Sequence, residues 1–427
     1  MTEKAYHKLH SDAPPAPQGC PVNHTFSPFD PDYLQNPYPQ LTHLQATTPI
    51  FHAAGVGYLV VTRMEEVLEV FLDPELFSAS NVQDPVLPIC PAAAAILAAD
   101  DYNPIAVMSN REQPDHTRIR RFTQAGFSTR RLKVLEPVVR QRAEELVDRM
   151  LAGPRTAEFV QAMGHPLPGE TIFRLLGFPP ADDHQLKQWT GNRLAFTWGR
   201  LDDATQIEIA GNMLAYWRYC VAFVKARRAA PADDLTSELL AAHQAEPDKL
   251  GYNEVESIVY GLSFAGHEIV SNFLSNALIA LLSDRTHWQQ LCTDRSLIPA
   301  ALEEVLRFDS PQTSWRRVVT RDTEFHGCKL PAGTQVFLSL GAANHDPAVF
   351  KEPDHFDIRR GDAANHISFG RGIHFCLGSR LAKLEAVIAL ETLVSQVPTL
   401  RLAADQQFSY FPNFTFRGPK TLYLEWD

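Results

Sequence analysis

The sequence predicts a mainly α-helical protein that carries small β-sheets. Long stretches of the chain place apolar residues at helical spacing, whereas strand-like stretches are few and short. The helical stretches cover about 64–72, 131–150, 208–228, 253–283, 286–308 and 377–395. The strand-like stretches are 58–61, 334–338 and 421–424. A chain of 427 residues with 45% hydrophobic content can bury a large core around these helices.

Local patterns justify these elements in chain order. Residues 58–61 form an apolar run typical of a buried strand, and the stretch 334–338 follows the turn residues 331–333. The stretch 253–283 is apolar on nearly all sides, which predicts one helix through the centre of the core. A further helix is predicted directly after Cys376 by apolar residues at helical spacing, which are Leu377, Leu381, Leu384 and Ile388.

Composition and charge argue against several classes of function. The net charge of −11 argues against a nucleic-acid partner, because no domain-wide basic surface is available. The first residues lack the apolar segment of a signal peptide, and no stretch approaches the ~20 uninterrupted apolar residues of a membrane helix. These features predict a cytoplasmic protein with no membrane partner. Six cysteines without a CxxC pair indicate neither a disulfide framework nor a zinc site.

The strongest functional signal is the run from Phe369 to Gly378, which contains one cysteine, Cys376. A helix is predicted to begin just after this cysteine, and its unpaired N–H groups should favour an anionic sulfur and lower the thiol pKa. Glycines at 370, 372 and 378 allow tight turns and close approach of the backbone to a flat ligand. A thiolate held in this way would suit the iron of haem. A lone cysteine beside glycines is otherwise most often a small buried apolar residue.

The order of residues in this run, Phe-x-x-Gly-x-His-x-Cys-x-Gly, resembles the cysteine-loop signature of the cytochrome P450 family. The resemblance implies a helical prism with a minor β region, in which haem b lies between a central distal helix and the proximal helix after Cys376. It makes Cys376 the iron ligand and brings Phe369, Gly370 and Gly378 of the loop, with Ala265 of the distal helix, against the haem.

The resemblance extends from about Phe26 to the C-terminus and implies a single haem-thiolate domain over residues 26–427. Proline-rich and polar residues before this point predict a flexible N-terminal arm over residues 1–25. No internal repeat and no linker composition divides the rest of the sequence.

The two haem propionates need cationic partners if they are partly buried. His116 and Arg120 stand four apart in a helix predicted at about 115–127, so their side chains point the same way. They match the pair that binds a propionate in the family. Arg317 resembles the arginine that reaches the other side of the haem, and His374 lies within the cysteine loop. Taken singly, each of these is more often a surface cation than a ligand.

A second motif resembles the structural Glu-x-x-Arg pair of the family. Glu304 and Arg307 are three apart in a stretch with helical apolar spacing, so both charges share one face. Such a pair is most often a solvated surface ion pair. The resemblance instead implies a buried network behind the cysteine loop, with its third partner at His355, where many members have arginine.

The polar interruption of the stretch 253–283 matches the distal helix of the family. There small residues, here Ala265 and Gly266, leave room for oxygen, and an acid followed by an alcohol manages protons. Glu268 is the acid, but Ile269 occupies the usual place of a threonine. Either Glu268 acts through water or the substrate, or the reaction is not ordinary oxygen insertion, because isoleucine has no proton donor. The resemblance therefore makes Glu268, Gly266 and Ile269 the expected catalytic residues. The alternative is a kinked helix whose polar groups bind neighbouring backbone.

The resemblance also implies a substrate pocket over the haem. An apolar small organic molecule is expected there, because the contributing side chains are mostly apolar. The expected pocket residues are Val86, Leu87, Ile105, Phe196, Leu262, Ile269, Thr313, Trp315, Phe414 and Thr415. An apolar residue in a long helix more often belongs to the hydrophobic core than to a substrate pocket. A place in the core is therefore the alternative for many of these residues.

The expected function is a haem-thiolate monooxygenase that inserts one oxygen atom from O2 into this substrate. No flavin or iron–sulfur motif is visible, so electrons are expected from a separate ferredoxin or flavodoxin-type donor with its reductase. A cluster of basic residues would attract such an acidic partner. Ordinary surface arginines would explain the same cluster equally well. Its members are Arg118, Arg121, Arg130, Arg131 and Lys133, with Arg371 and Arg380 beside the cysteine. Two alternatives stay open: an atypical haem-thiolate reaction (nitration, coupling, isomerisation or peroxide-driven chemistry), and a non-catalytic haem-binding sensor.

Overall fold

The computed structural model describes residues 16–427, and helices dominate the fold. The α-helices are α1 (Pro31–Gln35), α2 (Tyr38–Thr47), α3 (Met64–Leu72), α4 (Pro91–Leu97), α5 (Asp115–Gln124), α6 (Thr129–Leu151), α7 (Pro166–Leu176), α8 (Asp183–Thr190), α9 (Arg193–Trp198), α10 (Asp203–Ala229), α11 (Leu235–Ala245), α12 (Tyr252–Ala265), α13 (Glu268–Ser283), α14 (Arg285–Thr293), α15 (Ile298–Phe308), α16 (Leu340–Ala343) and α17 (Ser379–Gln396). The strands are β1 (Val22–Asn23), β2 (Ile50–Ala53), β3 (Tyr58–Val61), β4 (Phe77–Ser78), β5 (Thr156–Glu158), β6 (Trp315–Val319), β7 (Thr323–Phe325), β8 (Cys328–Leu330), β9 (Gln335–Leu338), β10 (Arg401–Leu402) and β11 (Tyr423–Glu425). The predicted fold class is confirmed.

The strands form three small sheets. The largest has the order β1-β2-β3-β9-β6-β4, with β3 parallel to β9 and β6 antiparallel to β9. Val60 and Phe337 face one apolar cluster, whereas Leu59 and Val336 face another. Both faces of the sheet are therefore covered, which explains why its central strands read as continuous apolar runs. The other sheets are β10-β11-β5 and the hairpin β7-β8.

The main core lies among the helices. Phe173 of α7, Trp217 of α10 and Trp288 of α14 are each at most 1% exposed and belong to the same apolar cluster. Helix α12 packs on α7 and α10, and α13 packs on α7 and α17. These contacts hold α12 and α13 in the centre of the molecule, between helices that come from distant parts of the chain.

The central helix differs from the prediction, because the stretch 253–283 forms two helices. Helix α12 ends at Ala265 and α13 begins at Glu268, and His267 between them has φ −104° and ψ −76°. A Cβ at Gly266 would lie 2.9 Å from Cγ1 of Ile172, so only glycine fits here without a shift. Apolar periodicity continues across this point, which is why the break is not visible in the spacing.

The stretch 286–308 is likewise two helices, α14 and α15, joined by the short 3-10 segment Arg295–Leu297. Pro299 lies in the first turn of α15. Proline lacks a backbone N–H and is tolerated in a helix chiefly at that position. It is therefore the local signal that the prediction of one continuous helix missed.

The segment from Ala16 onward is attached to the sheets, whereas residues 1–15 of the predicted arm lie outside the described residues. Strand β1 pairs with β2, and Cys20 forms a disulfide with Cys328 of β8. The sequence analysis found no indication of a disulfide framework and did not predict this single pair. The two cysteines are 308 positions apart, so no spacing rule could pair them. Within residues 16–427, no helix has the length and apolarity needed to cross a membrane.

Candidate active site

A large cavity of about 1100 Å³ lies among the described residues. It lies between the junction of α12 and α13 on one side and the cysteine loop with the start of α17 on the other. Side chains from α4, α9 and the loop after α4 complete its wall. The two sequence motifs at opposite sides, around Gly266 and Cys376, are thus brought together by the fold.

Cys376 lines this cavity three residues before α17, as predicted. Its backbone N–H donates to the carbonyl oxygen of Phe369 at 2.9 Å, which closes the loop. Burial raises the pKa of the Cys376 thiol, while the N–H groups of Gly378 and Ser379 and the charge of Arg120 act in the opposite direction. The expectation of a lowered thiol pKa considered the helix N-terminus, which acts in that direction, and left out the desolvation of a buried sulfur.

Glycines shape the backbone of the cysteine loop. Gly370 and Gly372 have φ of +71° and +72°, in the left-handed region that side chains rarely adopt. A Cβ at Gly372 would also lie 2.7 Å from the carbonyl oxygen of Phe71. Gly370 and Gly378 line the cavity beside Phe369, so the loop presents bare backbone to the cavity at these two glycines.

Two histidines and two arginines lie on the cysteine-loop side of the cavity. Arg120, Arg317 and His374 line it, and His116 packs behind His374 with ring centroids 4.3 Å apart. Nη2 of Arg120 donates to the carbonyl oxygen of Phe375 at 2.6 Å. Burial lowers the pKa of Arg317 to about 10 and that of His374 to about 3. The fold thus collects four basic side chains, predicted from three separate stretches of the sequence, in one desolvated place.

The unpaired polar atoms of this group test its fit to an anionic cofactor. Both ring nitrogens of His116 and Nε2 of His374 are buried with no hydrogen-bond partner among the described residues. Buried polar atoms are normally satisfied. Two carboxylates would satisfy these atoms, would pair with Arg120 and Arg317, and would raise the histidine pKa values. The residues present therefore fit a group with two carboxylates in the cavity that Cys376 also lines.

Behind the loop, Glu304 and Arg307 form a buried ion pair. Arg307 Nε lies 2.7 Å from Glu304 Oε2, and neither side chain is exposed. The third member is Arg360, whose Nε lies 3.0 Å from Glu304 Oε1. The assignment of His355 as third partner was wrong, because this residue is exposed and contributes its carbonyl oxygen to both arginines. The irregular segment between 350 and 362 gives no periodicity that would indicate which side chain turns inward.

At the distal side, Ala265, Gly266 and Ile269 line the cavity, whereas Glu268 does not. The carboxyl of Glu268 instead faces the N–H groups of residues 192–194, which lower its pKa. Burial has the larger effect and raises that pKa to about 7. Oε1 of Glu268 is buried with no hydrogen-bond partner among the described residues. This geometry agrees best with the alternative interpretation, in which the helix is interrupted and the Glu268 carboxyl turns toward neighbouring backbone groups.

Half of the expected pocket residues line the cavity. These are Ile105, Phe196, Leu262, Ile269 and Trp315. The others pack elsewhere and are Val86, Leu87, Thr313, Phe414 and Thr415. Phe414 lies in the core against Tyr58 and Phe337, and Phe416 lines the cavity in its place. A shift of two residues in an irregular segment explains that difference.

Several residues of the cavity wall were not expected. They include Tyr102, Arg193, Tyr260 and Phe264. Tyr260 and Phe264 stand four positions apart on one face of α12, but neither is at the spacing of three or four that would connect it with predicted Leu262. No local signal marks Arg193, because its position depends on how α9 packs on α10.

Ion pairs neutralise much of the predicted basic group. Arg118 binds Glu254, Arg121 binds Glu246, and Arg131 binds Asp233 and Glu238. The remaining members that are exposed and have no ion pair among the described residues are Arg130, Lys133 and Arg380. The basic surface near the cysteine loop is therefore smaller than the sequence indicated.

Comparison with known proteins agrees with this geometry. The cytochrome P450 family model matches residues 218–398. The biotin biosynthesis cytochrome P450 of Bacillus subtilis (strain 168) is 33% identical over 403 residues, which cover 92% of this chain and 96% of that protein. Cytochrome P450 monooxygenase PikC of Streptomyces venezuelae is 32% identical over 401 residues, with 92% of each chain covered.

A solved structure, cytochrome P450 CREJ in complex with (4-ethylphenyl) dihydrogen phosphate, superposes on this chain with a TM-score of 0.90. It is 37% identical in sequence and covers 95% of this chain and 100% of that chain. Since such relatives match nearly the whole chain in sequence and in fold, the chain belongs to the cytochrome P450 family and is a monooxygenase of that family.

Proposed function

We propose that this protein inserts one oxygen atom from O2 into an apolar small organic molecule, at a haem b whose iron is bound by Cys376. The observation that carries the proposal is the cavity of about 1100 Å³, which has the Cys376 sulfur on one side and Ala265, Gly266 and Ile269 on the other. This volume is at the upper end of that of small-molecule sites. It leaves room for a substrate beside a cofactor.

The cofactor would be held by the residues around the cysteine loop. Cys376 supplies the thiolate, while Arg120, Arg317, His116 and His374 bind the two propionates. When bound, haem supplies the activation of oxygen and its transfer to carbon. The glycine-rich loop lets the backbone approach the cofactor closely, since Gly370 carries no side chain at the cavity wall.

The remaining contributions come from the distal side. Ala265 and Gly266 are small and leave space at the break between α12 and α13. Ile269 and the aromatic wall restrict water. Glu268 is partly protonated near neutral pH, because burial raises its pKa to about 7. Its side chain does not line the cavity, so a proton from it would need water to reach the cavity.

The apolar character of the wall supports the substrate class. Trp198 and Trp315 stack with centroids 5.0 Å apart, and both line the cavity with Phe196 and Phe416. Such a surface suits an aromatic or alicyclic body. The ligand of the similar CREJ structure, (4-ethylphenyl) dihydrogen phosphate, has an aromatic body of this kind.

Electrons would come from a separate ferredoxin or flavodoxin with its reductase. The described residues carry no Gly-rich nucleotide fingerprint and no four-cysteine cluster. Arg130, Lys133 and Arg380 form an exposed basic surface near the cysteine loop, which would attract an acidic donor.

A second candidate is favoured by one residue. Ile269 lines the cavity where a proton-donating alcohol is expected, so haem-thiolate chemistry of atypical outcome, such as nitration, coupling or isomerisation, stays a competing proposal. A non-catalytic haem sensor has no comparable observation in its favour.

The experiment that separates these proposals is product mass analysis with isotopically labelled O2, using surrogate redox partners and a ligand chosen by spin-state titration. One labelled oxygen atom in the product is expected. An altered product without label would favour the atypical reaction. Tight ligand binding with reducible iron but no product, across donors of both types, would contradict the catalytic proposal. Cys376→Ser serves as the control that keeps the cavity wall but lacks the thiolate.

A further inference from the structure

A separate polar group lies in the distal wall of the same cavity. Arg193, the first residue of α9, lines the cavity together with Tyr102 and Tyr260. The two phenol oxygens are 3.0 Å apart. Burial raises the pKa of both phenols, and the charge of Arg193 acts on each in the opposite direction. The ring of Phe264 connects them, because it packs against Tyr260 with centroids 4.9 Å apart and also against the guanidinium of Arg193.

Arg193 keeps hydrogen-bonding capacity. Its Nη1 donates to Oγ1 of Thr197, and its guanidinium carbon lies 5.6 Å from the ring centre of Phe264. Its Nε is buried with no hydrogen-bond partner, and no ion pair among residues 16–427 includes it. The carboxyl that interacts with its charge is Glu268, which the raised pKa of about 7 leaves partly protonated near neutral pH.

The cofactor does not account for this cation. Arg120 and Arg317, the other two arginines that line the cavity, belong with His374 on the cysteine-loop side. Arg193 belongs to the distal wall with Tyr260 and Phe264 of α12. Arg120 and Arg317 are enough for the two propionates, so Arg193 is available to bind another anion.

The surroundings of Arg193 define the rest of the ligand. The nearby wall is apolar and includes Ile89, Ile105, Phe196, Met213, Leu262 and Phe264. Arginine binds carboxylate or phosphate through paired N–H donors, and burial strengthens that contact. Tyr260 precedes Gly266 by six residues of the helix, about 9 Å along its axis. An apolar body of that length would reach from the polar group to the break.

We propose that the substrate is an amphipathic acid whose terminal oxyanion, a carboxylate or a phosphate monoester, is bound by Arg193 with the hydroxyls of Tyr102 and Tyr260. The apolar body then extends toward Ala265 and Gly266. This specificity rests on the proposed function for the identity of the site. The binding preference itself needs no turnover.

The test is calorimetric titration of the holoenzyme with matched pairs of compounds. Two bodies are used, dodecyl and 4-propylphenyl. Each is presented as the carboxylate, as the phosphate monoester and as a neutral alcohol of similar size. At least one acid should bind about tenfold or more tightly than its alcohol, as a charge-assisted hydrogen bond predicts. Comparison of carboxylate with phosphate then identifies which oxyanion the site takes.

Variants assign the preference to Arg193. Arg193→Gln should reduce the ratio of acid to alcohol affinity to about one and leave the alcohol affinity unchanged, whereas Arg193→Lys should keep part of the ratio. Arg200→Gln is the matched control, since Arg200 is exposed and does not line the cavity. Tyr102→Phe, which should lower the ratio without removing it, provides a second variant if Arg193→Gln does not fold.

The inference is wrong if no acid is preferred by the wild-type protein, or if the preference persists in Arg193→Gln. Its failure is distinguishable from failure of the proposed function. Acid preference without labelled product would overturn the oxygenation proposal only. Labelled product from a neutral compound, without acid preference, would overturn this inference only.

Discussion

The imidazole rings of His116 and His374 lie 4.3 Å apart between centroids, and Nε2 of each is buried without a hydrogen-bond partner among the described residues. Nδ1 of His374 donates to the carbonyl oxygen of Met108 at 3.1 Å, which orients its ring. Burial lowers the pKa of both rings. The ring of His374 is therefore fixed in orientation while ring nitrogens of both histidines lack hydrogen-bond partners, as expected of side chains that bind an anionic group.

Replacement of His374 by phenylalanine should accelerate loss of haem. The change keeps the ring packing against His116 but removes Nε2, so one propionate loses a hydrogen-bond partner. Loss of one charge-assisted hydrogen bond should increase the rate of haem loss about tenfold. The rate of haem transfer to excess apomyoglobin measures it. His326→Phe, at an exposed ion pair with Glu69, is the control and should leave the rate unchanged. Equal rates for wild type and His374→Phe would refute the assignment.

Removal of the Arg307 charge should be strongly destabilising. Arg307→Met leaves Glu304 buried with one ion-pair partner, which costs about 3–5 kcal/mol in the free energy of unfolding. His355→Ala should cost within about 0.5 kcal/mol, because only its carbonyl oxygen takes part. Urea unfolding of both variants measures the difference. A larger effect at His355 than at Arg307 would restore the original assignment of the third partner.

Cys376→Ser should abolish the red-shifted absorbance of the reduced carbon monoxide complex, since an alcohol does not replace a thiolate as iron ligand. Cys292→Ser should retain that band, because Cys292 does not line the cavity. The spectrum of each dithionite-reduced variant under carbon monoxide decides the point. A persistent band in Cys376→Ser would mean that another group binds the iron.

Glu268 should make the protein less stable as the pH rises. Its folded pKa of about 7 lies above its ordinary value of 4.5, so the folded state binds more protons between these values. The stabilisation is fully present below about pH 4.5 and is lost as the pH rises toward 7. Glu268→Gln should remove up to about 1.4 kcal/mol per pH unit from this slope.

Urea unfolding at several pH values measures that slope for wild type and variant. Glu385 is a second buried carboxyl with a raised pKa and is present in both proteins, so its contribution cancels. Identical slopes would show that the Glu268 carboxyl is ionised throughout this range.

Ile269→Thr should lower the share of reducing equivalents lost as peroxide. The side chain lines the cavity, so a hydroxyl there would add a proton donor inside it. The ratio of peroxide formed to NADPH consumed, with a coupled surrogate donor, is the measurement. Ile269→Val shortens the side chain without adding a hydroxyl. It therefore distinguishes an effect of proton delivery from an effect of the smaller side-chain volume. A ratio that changes equally in both variants would indicate that only the volume matters.

The sequence by itself determined the elements whose signal is local. The cysteine loop was recognisable because glycines, a histidine and the following helix stand at fixed offsets from Cys376. The strands at 58–61 and 335–338 were visible as apolar runs. Glu304 and Arg307 could be placed on one face from the helical period alone, and the structure buries both.

Only the tertiary structure decided which side chains meet across the chain. Arg360 replaces His355 at Glu304, Cys20 reaches Cys328, and Phe416 instead of Phe414 lines the cavity. Arg193 gains its place only through the packing of α9 on α10. The physical reason is that periodicity reports which face of an element is apolar but not which neighbour covers it. An apolar residue in a cavity wall therefore has the same local pattern as one in the core, and long-range contacts alone distinguish them.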